Sequence, residues 1–443
     1  MASRQAKTLQ AASQDAPRPW RNTVLAGLAN YIDAGSIVSG SAALAMWASA
    51  YELSPSFLGI LGAFSANAIS AGVGALIGGR LCDRYGRKRI YQYDMLFYAF
   101  GMLWLVFATQ AWMLVVGFVL VGLAVGADIP ASWSLIAEEA PDRERAKHSG
   151  VAQVLWYLGP VVVLVLFFIL APLGLLGARI VFAHLAVLAL ALTFLRARMQ
   201  ESRRWVEAKE KSMRGGAAAQ AASWRTLLKP RHLGSMAFLI GMYGMWNLWA
   251  GTNGFFLPYI LRTVGNQSQA VSVALQAGYF AVGIASLLFI FMRFADRVNQ
   301  RLMFAVSALA QIVGMSLFAL FPLTLPIAVL HLAIMAIAGG FGAQSFFQLW
   351  SAELFPTMIR STAQGVTFAV VRIALGFWSF FVPVLTATGF HTLAWILTGF
   401  LMVSGLIGTI WAPRHEGKSL EELDALHSQE PAPAETSPAP AAR

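Results

Sequence analysis

Three ionisable residues lie where water does not reach. Asp33, Asp128 and Arg372 each sit deep in an apolar run of membrane-spanning length, where a charge is costly enough to mark a functional site by default. A carboxyl withdrawn from water can load and unload a proton near neutral pH, which makes Asp33 the first candidate for proton coupling. Asp128, in Gly126-Ala-Asp-Ile-Pro130, is either a second proton or substrate site or a helix-kink contact beside its proline. Arg372 stays charged wherever it is put. It must clamp a substrate carboxylate or hydroxyl, act as counter-ion to Asp33 or Asp128, or form a buried pair between elements. Gln344 and Gln348 are four residues apart and share a helix face. Their amides both donate and accept, which suits a ring of hydroxyls.

Composition says what must hold these residues. Of 443 residues, 58% are hydrophobic and only 12% charged, about half the charge of a soluble protein. The chain reads as a polytopic membrane protein. Apolar runs near 22–48, 56–79, 90–109, 112–137, 148–171 and 177–196 form one set of six. Runs near 233–261, 269–292, 301–321, 325–350, 362–387 and 391–411 form another. The segments outside them are a disordered tail over 1–20, an amphipathic linker over 197–232 and a Pro/Ala-rich tail over 413–443. The bundles are thus expected at 21–196 and 233–412.

The net charge of +11 is topology rather than a nucleic-acid footprint. Bases gather in alternate hinges, at 80–89, 143–147, 196–231, 293–301, 360 and 414, whereas the opposite hinges carry only Arg262, with Arg179 just inside a helix start. That asymmetry places the basic hinges and both termini in the cytoplasm of a plasma-membrane protein. The first twenty residues lack the apolar core of a cleaved signal peptide. The one cysteine, Cys82, excludes an intramolecular disulfide.

The two sets of runs are copies. The hinge Gly78-Gly-Arg-Leu-Cys-Asp-Arg-Tyr-Gly-Arg-Lys-Arg89 returns as Arg293-Phe-Ala-Asp-Arg-Val-Asn-Gln-Arg301, with Asp296-Arg297 standing for Asp83-Arg84. Gly86 is expected at positive φ in this tight turn, and Asn299 to replace it as the next most tolerant residue. Likewise Glu138, Pro141, Arg145 and Gly150 match Glu353, Pro356, Arg360 and Gly365 at identical intervals. Repeated halves indicate a transporter. Acids add nothing to a topology signal carried by bases. Asp83, Arg84, Arg87, Glu138 and Arg145, with Asp296, Arg297, Glu353 and Arg360, are therefore read as a cytoplasmic gate of ion pairs. Asp94 is assigned to the same charge network. His184 and His331 stand alone and read as packing contacts.

The paired hinge resembles the signature of the major facilitator superfamily, and further stretches are similar to its sugar porter branch. Glu201-Ser-Arg-Arg-Trp-Val206 resembles that branch's Pro-Glu-Ser-Pro-Arg-Trp-Leu after the sixth helix. Glu353-Leu-Phe-Pro-Thr-Met-Ile-Arg360 follows the tenth helix, and Gly417-Lys-Ser-Leu-Glu-Glu422 the last. The resemblance implies an all-α fold of twelve transmembrane helices in two six-helix bundles related by a pseudo-two-fold. It implies a proton-coupling role for Asp33, which precedes an Ile-x-Ser-Gly stretch one residue longer than the branch's own. It also implies substrate contacts from Gln153 on the fifth helix and from Asn247 and Asn253 on the seventh. Trp246 and Trp249 would pack a sugar's apolar face, and Gln348 stands where sugar porters often have tryptophan. The branch's fourth-helix arginine, partner of the first-helix acid, is absent: Phe118 occupies its place. Gly-x-Asp-x-Pro at Asp128 is instead similar to the phosphate:proton symporters, and Arg372 to an eleventh-helix arginine of organic-acid symporters.

The leading expectation is a monomeric secondary transporter for proton-coupled uptake of a sugar or cyclic polyol such as inositol. Its partners are the substrate, protons and the lipid bilayer, with no cofactor or nucleic acid. Alternatives are a symporter of a small organic anion held by Arg372, an uncoupled facilitator, and a transporter-derived nutrient receptor. No metal-spaced His/Cys cluster, phosphate loop or nucleophile-base pattern suggests an enzyme. Gly72-Val-Gly74 and Gly339-Gly-Phe-Gly342 read as helix-packing runs.

Overall fold

The computed structural model describes residues 19–413 apart from 142–143, 198–200 and 215–225. The expected tails, the Gly417–Glu422 motif and much of the linker lie outside the described residues. Twelve helical spans follow in order. The first half has α1 (Pro19–Ala50), α2 (Pro55–Ala63 and Ile69–Tyr85), α3 (Arg87–Val106), α4 (Ala111–Glu139), α5 (Arg145–Ile169) and α6 (Leu175–Ala197). A linker helix, Arg203–Arg214, precedes the second half. There follow α7 (Pro230–Thr263), α8 (Gln269–Ser286, continuing to Phe294), α9 (Gln300–Leu320), α10 (Leu325–Gly340 and Ala343–Glu353), α11 (Arg360–Ser379 and Val382–Thr388) and α12 (Phe390–Trp411). Eight of these are long and apolar enough by length and composition alone to cross a membrane.

The expected spans hold, but four depart from continuous helices, α11 by a short break between Ser379 and Val382. α2 breaks between Ala63 and Ile69, with the Ser70 hydroxyl donating back to the carbonyls of Phe64 and Ser65. α10 breaks at Phe341-Gly342, so the Gly339–Gly342 run interrupts a helix rather than only packing one. α8 carries a π-turn over Leu287–Phe291. Irregular backbone at membrane depth is tolerated where protein covers it and often marks a working site.

The halves meet along two glycine-lined seams. A Cβ on Gly79 of α2 would stand 2.3 Å from the Ser361 carbonyl oxygen of α11, and one on Gly365 would stand 2.3 Å from that of Ala75. In the α5–α8 seam, a Cβ on Gly150 would meet Met292 at 2.2 Å and one on Gly283 would meet Tyr157 at 2.2 Å. Small residues let the backbones touch where lipid offers no hydrophobic drive for association. Gly79→Leu must wedge α2 from α11. Initial transport rates in proteoliposomes are expected to fall at least about tenfold at equal amounts of folded protein, on the scale of an overpacked core. An unchanged rate would show that the seam is not a moving joint.

Candidate functional site: an ion-pair latch, an amide-lined centre and buried carboxyls

At the basic end, the two bundles are bolted together. Arg87, the first residue of α3, reaches Asp83 at 3.2 Å and Glu138 at 2.8 Å, and donates to the Thr357 carbonyl of the opposite half at 3.0 Å. Glu138 Oε1 also takes Arg360 of α11 at 3.2 Å. One carboxylate oxygen thus serves two guanidiniums from two bundles, with no exposure of any of these three side chains. Asp83 accepts from the backbone N–H and the hydroxyl of Thr362, both at 2.7 Å. That contact sets an acid on the N-terminal turn of α11, where the helix dipole favours it.

The repeat builds the same contacts in mirror form. Arg145 pairs with Glu353 at 3.4 Å, and Asp296 accepts from the Ala146 N–H at 3.1 Å at the start of α5. The copy is not perfect. Where Arg87 stands in the first half, Gln300 stands in the second, bonding the Ala295 carbonyl at 3.2 Å and Trp350 Nε1 at 2.7 Å. Arg84 and Arg297 are exposed, and neither meets a carboxylate among the described residues. The structure therefore does not bring these two of the expected gate residues into the latch. Gly86 has φ +99°, as the turn requires, whereas Asn299 does not share it. Asn299 has φ −61° and caps α9 through its side chain, accepting from the Leu302 N–H at 3.0 Å, so the second hinge turns by a helix cap instead.

The linker clamps the first hinge. Glu201 accepts from the N–H groups of Arg87 at 2.9 Å and Lys88 at 3.1 Å. Trp205 donates to the Asp83 carbonyl at 3.2 Å, with the Arg87 and Lys209 cations each 5.9 Å from its ring.

Deeper in, the structure brings together several of the expected substrate residues. Gln153 of α5 donates to Gln348 of α10 at 2.5 Å, joining the bundles through a neutral amide pair. Gln153 Oε1, an acceptor, and Gln348 Nε2, a donor, are buried with no hydrogen-bond partner among the described residues. Gln344 accepts from the Tyr243 hydroxyl at 2.8 Å. Arg372 donates to Tyr243 at 3.4 Å, to Asn247 at 3.3 Å and to both the carbonyl and side chain of Asn67, with its guanidinium 4.4 Å from the Phe368 ring. Trp246 bonds Gln311 at 2.7 Å beside the Tyr243 ring. Trp249 is buried in packing, and Asn253 is half-buried two turns from Trp246.

No acid touches Arg372 among the described residues, so it is not in contact with Asp33 or Asp128. The counter-ion to Asp128 is a residue that sequence reasoning missed: Arg196, at the end of α6, meets Asp128 at 2.8 Å with both side chains fully buried. The same guanidinium bonds the carbonyls of Leu25 and Ala26 in α1, each at 3.2 Å. Phe118, where the resemblance would place an arginine, packs against Trp47 and Gly40. Asp33 is buried, and among the described residues neither of its carboxyl oxygens has a hydrogen-bond partner. Asn67 and Tyr243 were also missed. Asn67 could have been flagged as an amide inside an apolar run. The lone histidines pack as expected: His331 bonds the Gly314 carbonyl at 2.7 Å and stacks on Phe318, and His184 lies 3.4 Å from the Tyr31 hydroxyl.

A cavity of about 770 Å³ lies at the basic end beside Arg231, Phe238, Leu354 and Trp411, and two others lie at the end opposite the latch. A cavity of about 400 Å³ reaches Ala42, Phe167, Arg262 and Val273, and one of about 320 Å³ reaches Ser41, Leu58, Phe255 and Tyr259. The described state is closed at the basic end.

Comparison with known proteins agrees with this architecture. Residues 23–379 match the Major Facilitator Superfamily. The chain is 47% identical over 407 residues to the Minor myo-inositol transporter IolF of Bacillus subtilis (strain 168), covering 91% of this chain and 93% of that protein. It is 23% identical to the Glucose transporter GlcP of Staphylococcus epidermidis, covering 80% and 86%. Among solved structures, the proton:xylose symporter XylE bound to 6-bromo-6-deoxy-D-glucose superposes with a TM-score of 0.75 at 19% identity, over 92% of this chain and 98% of that one. Twelve spans in two repeated bundles, latched through paired acids and arginines about a polar centre, therefore make this chain a multi-pass transporter of the major facilitator superfamily.

Proposed function

We propose that the protein imports a cyclic polyol, with myo-inositol the best fit, together with a proton by alternating access. The observation that carries this is the Gln153–Gln348 bridge: it spans the two bundles and leaves one buried donor and one buried acceptor unused. Adjacent hydroxyls on a ring can satisfy both ends at once, and a fixed charge is not needed for that. The 47% identity to a protein named as a myo-inositol transporter supports the substrate. Asp33 and Asp128 are the proposed proton-coupling residues. Gln153, Asn247, Asn253, Gln344, Gln348, Arg372, Trp246 and Trp249 are the proposed substrate shell. Asp83, Gly86, Arg87, Glu138, Arg145, Asp296, Glu353 and Arg360 form the proposed gate, on the cytoplasmic side of the plasma membrane, and the working unit is proposed to be a monomer.

The test is uptake of labelled myo-inositol into proteoliposomes with and without an imposed inward proton gradient. Accumulation that needs the gradient and is suppressed by excess unlabelled myo-inositol supports both substrate and coupling. No uptake from folded protein overturns the substrate. One observation favours a second reading: Arg372 is a buried guanidinium without a carboxylate contact, as an organic-anion site would need. Arg372→Gln separates the two. Under the anion reading, transport of a carboxylate falls about a hundredfold or more, on the scale of a lost charge-assisted bond. Under the polyol reading, myo-inositol uptake falls by less than about tenfold, on the scale of one neutral hydrogen bond.

A further inference from the structure

Asn67 stands in the break of α2, in the first bundle, yet its side chain bonds Arg372 of α11, in the second. One nitrogen of that guanidinium, Nη1, meets three oxygens. It donates to the Asn67 carbonyl at 3.3 Å, to the Asn67 side-chain oxygen, and to the Asn247 side-chain oxygen at 3.3 Å. The other, Nη2, donates to the Tyr243 hydroxyl at 3.4 Å, which donates in turn to Gln344 at 2.8 Å. Phe368 covers a face of the guanidinium at 4.4 Å, and both Arg372 and Asn67 are buried. Every one of these acceptors is a neutral oxygen. Two of the three at Nη1 belong to Asn67.

A buried guanidinium stays charged, and its strongest partner is a carboxylate, because charge-assisted bonds are about twice as strong as neutral ones. The amide of Asn67 has the planar shape of a carboxylate and its acceptor oxygen, without the charge. It therefore fills the place at Nη1 that the carboxylate of an anionic ligand would take. A neutral polyol needs no counter-ion and loses nothing by this. The place adjoins the proposed substrate shell, since Asn247 shares the same nitrogen and Gln344 is reached through Tyr243.

Resting on the polyol reading above, we infer that Asn67 is a specificity-determining residue: it is the neutral occupant of an anion slot and keeps carboxylates off Arg372. Its removal opens that slot. Asn67→Ala takes away the amide and leaves space for a carboxyl group beside the guanidinium. A hexuronate, which is a ring of hydroxyls carrying one carboxylate, then sets its anionic group at Nη1 and its hydroxyls towards Asn247 and Gln344. Asn67→Asp closes the slot again, because the carboxylate now belongs to the chain itself.

The test is inhibition of labelled myo-inositol exchange in proteoliposomes by D-glucuronate. It is expressed as a ratio to inhibition by unlabelled myo-inositol, so that a general loss of rate cancels. In the unsubstituted protein, glucuronate is expected to inhibit about a hundredfold more weakly, since its carboxylate finds no cation to meet. In Asn67→Ala the gap is expected to narrow by about tenfold or more, on the scale of one charge-assisted bond. In Asn67→Asp it is expected to stay as it was. An unchanged gap in Asn67→Ala overturns the inference. Equal narrowing in Asn67→Asp also overturns it, because loosened packing rather than an opened slot is then the cause. Glucuronate that already matches myo-inositol on the unsubstituted protein overturns it without any variant. No myo-inositol exchange by folded, unsubstituted protein would instead overturn the polyol reading itself. Asn67→Ser, which also lacks the amide, serves if Asn67→Ala does not fold. If the variant folds but no longer exchanges, thermal unfolding in sodium formate against equal sodium chloride replaces the assay. Formate is expected to raise the melting temperature of the truncated variant and not that of Asn67→Asp, and no such rise overturns the slot.

Discussion

Asp33→Asn is expected to abolish gradient-driven accumulation while leaving exchange of myo-inositol between the two sides intact. Asn has nearly the shape of a protonated aspartic acid and cannot ionise. Both Asp33 oxygens are buried and make no hydrogen bond among the described residues, a setting that an amide fills as a neutral acid does. Loss of the charge therefore costs the folded state little, whereas loss of the titration removes the coupling. One proton moved down a gradient of one pH unit is worth about 1.4 kcal/mol, a factor of about ten in accumulation. Proteoliposomes held at that gradient should fall from about tenfold accumulation to about unity, with counterflow rates little changed. Accumulation preserved in the variant would remove Asp33 from the mechanism.

The second large effect belongs to Glu138. Its carboxylate joins Arg87 of one bundle to Arg360 of the other, and all three side chains are fully buried. Glu138→Gln leaves two guanidiniums facing a neutral amide. Breaking a buried pair from one side costs about 3–5 kcal/mol, and that cost falls only on the closed state. A bias of that size moves the equilibrium towards the open basic end by more than about a hundredfold. Ser361→Cys in a Cys82→Ala background reports it, because Ser361 is buried against Ser134 at 2.9 Å in the closed interface and Cys82 is the chain's one thiol. Alkylation of Cys introduced there should accelerate by a similar factor when Glu138→Gln is added. An unchanged rate would mean that the latch does not set the gate.

What could be read from the sequence follows from what each signal encodes. Apolar run length gives depth in a bilayer, so the spans, the two bundles and the buried positions of Asp33, Asp128 and Arg372 were legible. The repeated intervals gave the latch, because Glu138 and Arg360, or Arg145 and Glu353, occupy equivalent places in two halves that must face each other. Azimuth was not legible. Which neighbour a buried side chain of α3 meets depends on a rotation of that helix by a fraction of a turn, which hydropathy does not record. Arg196 was hidden differently: at the end of the sixth run it reads as one more topology-setting base, yet its side chain turns inward to Asp128. Asn67 was visible as an amide inside an apolar run, but the break in α2 beside it, which lets it meet Arg372, was not. Asn299 misled because the residue tolerant of positive φ is also a good helix cap, and the second hinge used the cap.

The position of Arg372 has an electrical consequence. Midway along the eleventh span, it is held by neutral partners alone among the described residues. With Asp33 ionised, the empty carrier's core has one charge of each sign and crosses as a neutral body. With Asp33 protonated, the loaded core bears a net positive charge. An elementary charge moved through 100 mV gains about 2.3 kcal/mol. Under the proposed proton-coupled import, a membrane potential negative inside would therefore pull the loaded carrier inward and leave the empty return untouched, with Arg372 setting the voltage dependence.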